Sequence, residues 1–165
     1  RAAETDNECL WWMSEFTRMA RNGLAGKFVF FPEYNLDLLM AGNRGADVWL
    51  VTPKPGCEAC GTSDRDAAAN GIPSISSRTG GMMEWMEEFN PITLTGNGFF
   101  IEPYNPRTLF EKLKVFSELW YAWTENGNVA YPTLVKNVID KSPELDIRPA
   151  LTKYREIFRN LMETK

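Results

Sequence analysis

Asp47-Val48-Trp49-Leu50-Val51-Thr52, followed by Pro53-Lys54-Pro55-Gly56 and then by Glu58-Ala59-Cys60-Gly61-Thr62-Ser63-Asp64-Arg65-Asp66, is the stretch that decides the fold. Its first six residues are mostly apolar with a β-branched and aromatic bias, which suits a strand buried on both faces of a parallel sheet. The proline and glycine run stops that strand. From Ser63 an alanine-rich segment leads to Asn70-Gly71, reading as a helix with Thr62 or Ser63 as N-cap and glycine as its C-terminal stop. The loop between them therefore lies at the carboxyl end of a strand. Ligands bind there in open α/β sheets, because backbone N–H groups at the following helix N-terminus favour negative charge such as phosphate.

Glu58 and Asp66 stand on either side of Gly61, which lets the backbone come close to a ligand. An ionised carboxylate only accepts hydrogen bonds and has two oxygens, so each acid is suited to clamp paired sugar hydroxyls while backbone amides take phosphate. The competing account is structural: Asp66 balances the first turn of a helix and Glu58 is solvated.

Working outward, the pattern predicts a helix over 4–22, a strand over 27–31, a helix over 35–42, the strand 47–52 and the helix 63–70. A strand at 73–76, a short helix near 82–88 and a strand at 98–101 follow. Alternation at this spacing predicts an α/β fold, a Rossmann-like parallel sheet flanked by helices. From Pro106 the chain turns helical, with Asn105 ahead of a first-turn proline, a helix to about Glu125, another from Pro132 to about Ile139, and a last one over 147–163. Leu151, Tyr154, Phe158 and Leu161 recur at helical spacing as an apolar stripe. Residues 1–105 are thus expected to form a partial Rossmann-like domain, and residues 106–165 a helical C-terminal extension packing on the same domain.

The run Glu58-Ala59-Cys60-Gly61-Thr62-Ser63, followed by Ala67-Ala68-Ala69-Asn70-Gly71, resembles the glycine loop of α-glucan phosphorylases. Phe31-Pro32-Glu33-Tyr34-Asn35 and Gly45-Ala46-Asp47-Val48-Trp49-Leu50 resemble that family's upstream segments. Downstream, Gly71 to Gly81 and Gly96 to Tyr104 look more like bacterial glycogen and starch synthases. Both families share the two-domain GT-B glycosyltransferase fold, and the resemblance covers roughly residues 24 to 104. It implies that the position of Asp66 carries, in phosphorylases, the lysine that holds pyridoxal phosphate as a Schiff base. An aspartate has no amine for that bond, so no pyridoxal phosphate is expected. In nucleotide-sugar-dependent relatives the same position carries the second acid of an E-x7-E motif, here E-x7-D, one methylene shorter.

The resemblance implies the following roles. Glu58 would be the catalytic-site acid on the hydroxyls of the transferred glucose, the amides of Ala59, Cys60, Gly61 and Thr62 would meet the donor phosphate, and Asp66 would take the ribose. Tyr34, at the end of the preceding strand, would stack on the base, and Arg78, before Thr79-Gly80-Gly81, would contact phosphate. Tyr34 as a sheet-edge aromatic and Arg78 as a surface arginine are the plainer accounts. The expected partners are a nucleotide-sugar donor, ADP-glucose or UDP-glucose, an α-glucan acceptor, and a missing N-terminal domain. The expected activity is retaining glucosyl transfer of glycogen or starch synthase type, with this chain inactive by itself. A non-catalytic or phosphorylase-derived carbohydrate-binding module, with Trp120, Tyr121 and Trp123 stacking on glucan or packing in the core, is the alternative.

The 165 residues carry a net charge of −4, which disfavours nucleic acid, whose binders concentrate basic surface. No apolar run approaches the ~20 residues of a membrane span and no signal-peptide pattern opens the chain, so a cytoplasmic location is expected. Hydrophobic content of 44%, with six tryptophans and ten phenylalanines, is ample for a core. Three cysteines, an odd number, do not suggest a secreted disulfide framework, and with no second pair and no histidine Cys57-x-x-Cys60 lacks the four ligands of a closed zinc site. A thiol redox pair is the rival reading of that motif. Cys9, beside Trp11 and Trp12, is expected in the core.

Overall fold

A computed structural model describes residues 3–58 and 60–163. It divides at Arg44 into a first unit and a second, Gly45–Lys165. The second holds a parallel sheet of three strands, β1 (Trp49–Val51), β2 (Ser74–Ser77) and β3 (Gly98–Ile101), in that spatial order. Leu50 pairs with Ile75 and Ile75 with Phe99, so the central register runs through three apolar residues.

Every residue of β2 and β3 is buried, whereas β1 is not. The expectation that 47–52 would be covered on both faces is corrected here: Leu50 is 47% exposed and its neighbours are half-buried. As the first strand in the order, β1 has a partner on one side only within this sheet. The outer side of β3 is handled differently. The Phe89 N–H donates to the Gly98 carbonyl at 2.7 Å, and the Glu88 carboxylate accepts from the Phe100 N–H at 2.6 Å and from Lys112 Nζ at 2.5 Å. An open edge is thus paired by a passing segment.

The strand connections carry helices α3 (Ser63–Ala69) and α4 (Met82–Trp85). α3 ends as the sequence predicts, at a left-handed Gly71 (φ 75°). The N–H groups of Gly71 and Ile72 return to the carbonyls of Ala68 and Ala67, a Schellman closure. A Cβ on Gly71 would lie 3.1 Å from the Ile139 side chain, so glycine also lets the next helix layer approach.

After β3, α5 (Pro106–Asn126) begins with Asn105 accepting from the Thr108 N–H at 2.9 Å and proline in its first turn, and ends at Gly127 in the left-handed region. It packs on β2 and β3 and against α6 (Ala130–Lys141). Phe116, Leu119, Tyr131, Leu134 and Val138 from these helices meet Ile75, Phe99, Ile101, Met82, Trp85 and Phe89 in one core. Trp123 stacks on Tyr131 at 5.1 Å, and Trp120 packs against the core, while Tyr121 is exposed. Burial and the neighbouring Asp47 carboxylate push the Tyr131 phenol up to about 12. A 3₁₀ turn, Ser142–Leu145, leads to α7 (Arg148–Glu163), which has no buried residue; Leu151, Tyr154, Phe158 and Leu161 are all exposed.

The first unit contains α1 (Asn7–Arg21), capped by Asp6, and α2 (Leu36–Gly45), whose Leu38 N–H is met by Asn35. The strand predicted over 27–31 does not form: residues 22–27 make successive turns and 28–31 are irregular. Phe28 and Phe30 instead gather around Phe16, at 6.1 and 5.7 Å between ring centres. β-Branched and aromatic composition favours a strand only where a neighbour supplies ladder hydrogen bonds, and among the described residues none pairs with this segment. Cys9 is exposed, as are Trp11 and Trp12, which corrects its placement in the core.

Candidate functional site

The loop from Thr52 to Thr62 leaves the carboxyl end of β1 and returns as α3, and side chains from β2 and β3 fasten it. Ser77 Oγ donates to the Pro53 carbonyl at 2.6 Å, the Gly56 N–H donates to Thr79 Oγ1 at 3.1 Å, and Tyr104 OH donates to the Thr52 carbonyl at 3.0 Å. The Pro53–Gly56 turn is thereby tied to the carboxyl end of β2, and Thr52 to the segment after β3. Sequence reading missed all three fasteners. The signal available was the Ser77-Arg78-Thr79 hydroxyl pattern directly after a strand.

Within the loop Glu58 is half-buried, Cys60 and Thr62 are exposed, and Gly61 is half-buried. Ala59 lies outside the described residues. Thr62 occupies the N-cap position of α3 without a side-chain hydrogen bond to it. A Cβ on Gly61 would make an ordinary contact, 3.6 Å from Asp64 Oδ1. Asp66, one turn into α3, is exposed; its N–H donates to the Thr62 carbonyl at 3.1 Å.

Asp64 is the acid that the helix start takes inward. It is 1% exposed and accepts from Trp85 Nε1–H at 3.2 Å. Burial pushes its carboxyl up, against this hydrogen bond and the Arg65 charge. The amides of Arg65 and Asp66 are engaged by the Thr62 carbonyl, each at 3.1 Å. A phosphate approaching the loop would depend on the amides before Arg65.

Arg65 runs back under the loop. Its Nη2–H donates to Cys60 Sγ at 3.6 Å and pairs with Glu84 at 3.8 Å, while its buried Nε–H has no hydrogen-bond partner among the described residues. Gly81 faces this group: a Cβ there would sit 3.0 Å from Cys60 Sγ and 3.2 Å from Arg65 Nη2.

Arg78 follows β2. Its Nε–H donates to Glu102 Oε2 at 2.9 Å and its guanidinium carbon lies 4.3 Å from the centre of the Phe100 ring, so the cation is both paired and stacked. Half its surface remains exposed, which leaves donors facing solvent. Tyr34 belongs to the first unit, is 68% exposed, and follows irregular chain where a strand was expected. Among the described residues no group of three or more His, Cys, Asp or Glu is placed to hold a metal ion, and no helix is long and apolar enough to cross a membrane. Asp66 presents a carboxylate, which has no amine and forms no imine.

In sequence the chain is similar to known glucan enzymes. A glycogen synthase of Kosmotoga olearia is 37% identical over 91 residues, covering 51% of this chain and 19% of that protein. A glycogen phosphorylase of Aquifex aeolicus is 40% identical over 65 residues, 39% of this chain and 9% of that protein. Among solved structures, the catalytic domain of starch synthase IV from Arabidopsis thaliana, bound to ADP and acarbose, superimposes with a TM-score of 0.67 at 18% identity over 89% of this chain and 29% of that one. No protein-family model matches the chain. The chain spans less than a third of the length of each of these proteins. It has the fold of part of a GT-B glycosyltransferase, and its sequence resembles glycogen synthases and, over a shorter stretch, glycogen phosphorylases.

Proposed function

We propose that the chain is the donor-binding part of a retaining glucosyltransferase of glycogen or starch synthase type, which moves glucose from a nucleotide-sugar to an α-glucan. The observation that supports it is the Glu58 to Asp66 loop at the carboxyl end of β1, with an acid where phosphorylases carry their cofactor lysine. In this reading Glu58 holds glucose hydroxyls, the amides of Ala59 to Thr62 meet the diphosphate, and Asp66 takes the ribose. Arg78 adds positive charge beside the departing diphosphate. Preorganised amides and a fixed cation stabilise charge that develops on the leaving group, while binding of the remote nucleotide positions the glucosyl carbon. The acceptor side of the cleft belongs, in the GT-B fold, to the other domain, so this chain by itself transfers no glucose.

Calorimetric titration of the chain with ADP-glucose and with UDP-glucose, beside Asp66→Ala, tests the reading. Saturable binding of one of them, weakened in the variant, is expected and names the donor. The 40% identity to a phosphorylase over 65 residues favours a second reading, a phosphorylase-derived or non-catalytic carbohydrate-binding part. Binding of maltooligosaccharide with no affinity for either nucleotide-sugar would establish that one instead.

A further inference from the structure

We infer that Thr79 is a positioning residue for the glucose end of the donor, because its hydroxyl holds the turn ahead of Glu58 in one of two backbone states. The inference rests on the contact proposed above between Glu58 and the glucose hydroxyls.

Lys54-Pro55-Gly56-Cys57 is a tight turn. The Cys57 N–H donates to the Lys54 carbonyl at 2.9 Å, proline stands second and glycine third, and Gly56 takes φ 82°. Those are the marks of a type II turn, which differs from type I by a flip of the central peptide. The flip decides where the Gly56 N–H points, and here that N–H donates to Thr79 Oγ1 at 3.1 Å. Residues 54–57 are all exposed, so packing does little to choose between the two states. A hydrogen bond from outside the turn can.

The anchor is itself held. Thr79 is 6% exposed, and its own N–H donates to the Ser77 carbonyl at 2.9 Å, at the end of β2. Ser77, fully buried, binds the Pro53 carbonyl at 2.6 Å. Two hydroxyls thus grip the chain at Pro53, before the turn, and at Gly56, within it. Glu58 follows directly after Cys57, the residue that closes the turn. Turning the central peptide over re-aims the chain that leaves it, and Glu58 with it. Asp66 is placed separately, by α3, where its N–H donates to the Thr62 carbonyl. Loss of the Thr79 hydroxyl therefore falls on the sugar end of the donor more than on the ribose.

The test has two arms. Amide hydrogen exchange of the unliganded chain, followed by NMR, reads the tether. The Gly56 N–H is expected to exchange several-fold faster in Thr79→Val, which keeps the side-chain shape without the acceptor, than in wild type or Thr79→Ser, while all three melt within a few degrees of one another. Calorimetry with ADP-glucose and ADP, and with UDP-glucose and UDP, reads the consequence. Thr79→Val is expected to weaken the nucleotide-sugar several-fold and the nucleoside diphosphate far less, with Thr79→Ser binding as wild type. Gly56→Ala, which opposes φ 82° at a position with nothing within 4 Å, is expected to behave like Thr79→Val. Equal Gly56 exchange in wild type and Thr79→Val overturns the inference whatever binds. An unchanged nucleotide-sugar affinity in Thr79→Val, or equal weakening of both ligands, overturns it and leaves the donor reading standing. A wild type that binds neither nucleotide-sugar removes the donor reading, and the positioning role with it.

Discussion

Trp85 Nε1–H donates to Asp64 Oδ2 at 3.2 Å, and both side chains are buried, so the start of α3 is anchored to α4 through a charged hydrogen bond below the loop. Trp85→Phe removes the donor and leaves a buried carboxylate with one partner fewer, at a cost of about 1.5–3 kcal/mol. The pH dependence has a definite sign. Burial raises the folded-state value of Asp64, so the folded protein holds this proton more tightly than the unfolded chain. The associated stability is fully present below the unfolded value, about 3.9, and is lost as pH rises through the folded one. Denaturant titrations of wild type and Asp64→Asn across that window should show the asparagine variant gaining on the wild type as pH increases. A difference that stays flat with pH would mean that the carboxylate is well solvated.

The sequence made this part of the fold legible because its signals are local. The Asn70-Gly71 stop, the Asn105-Pro106 start and the strands at 74–77 and 98–101 depend on residues within a few positions of each element. What stayed hidden depends on distant partners. Phe28 to Phe31 has strand composition but no neighbour to pair with, and Leu50 reads as buried although β1 lacks a second partner strand. Arg78 finds Glu102, and Glu88 finds both Phe100 and Lys112, across 12 to 24 residues that no periodicity reports. At the site, the loop and its two outer acids were visible as a motif. The inward role of Asp64 was not, because it depends on where the Trp85 indole arrives.

Glu88 joins the outer edge of β3 to α5 through one carboxylate, accepting from the Phe100 N–H and from Lys112. The side chain is 42% exposed, so solvent screens the ion pair, and the backbone contact is the larger loss on mutation. Glu88→Ala should cost about 1–2 kcal/mol in urea denaturation. Lys112→Met, which keeps an aliphatic stem of similar length, should cost less than half of that.

Gly96 has φ 88°, and a Cβ there would lie 2.2 Å from the Glu88 carbonyl oxygen and 2.7 Å from Phe89 Cα, both backbone atoms. Neither can yield without breaking the segment that covers β3. Backbone strain of order 1–3 kcal/mol from the φ value alone, with the collision added, should make Gly96→Ala severely destabilised in thermal melts. Gly23→Ala, with nothing within 4 Å, serves as the comparison and should lie within about 0.5 kcal/mol of wild type.

Glu58 and Asp66 lie on one loop and helix, but the proposed roles assign them to different halves of the donor, which makes them separable by ligand truncation. ADP retains the ribose and the diphosphate and lacks the glucose. Should the chain bind ADP-glucose, Asp66→Ala is expected to weaken ADP and ADP-glucose alike, and Glu58→Gln to weaken only ADP-glucose. A charge-assisted hydrogen bond contributes about 1.5–3 kcal/mol, roughly a ten- to hundredfold change in Kd. Asp66 is exposed and Glu58 only half-buried, so the lower end is the expected size. Calorimetry with four protein–ligand combinations reads this directly. Equal losses for both ligands in Glu58→Gln would place that carboxylate on the nucleotide rather than the sugar, and an unchanged ADP affinity in Asp66→Ala would remove Asp66 from the ribose.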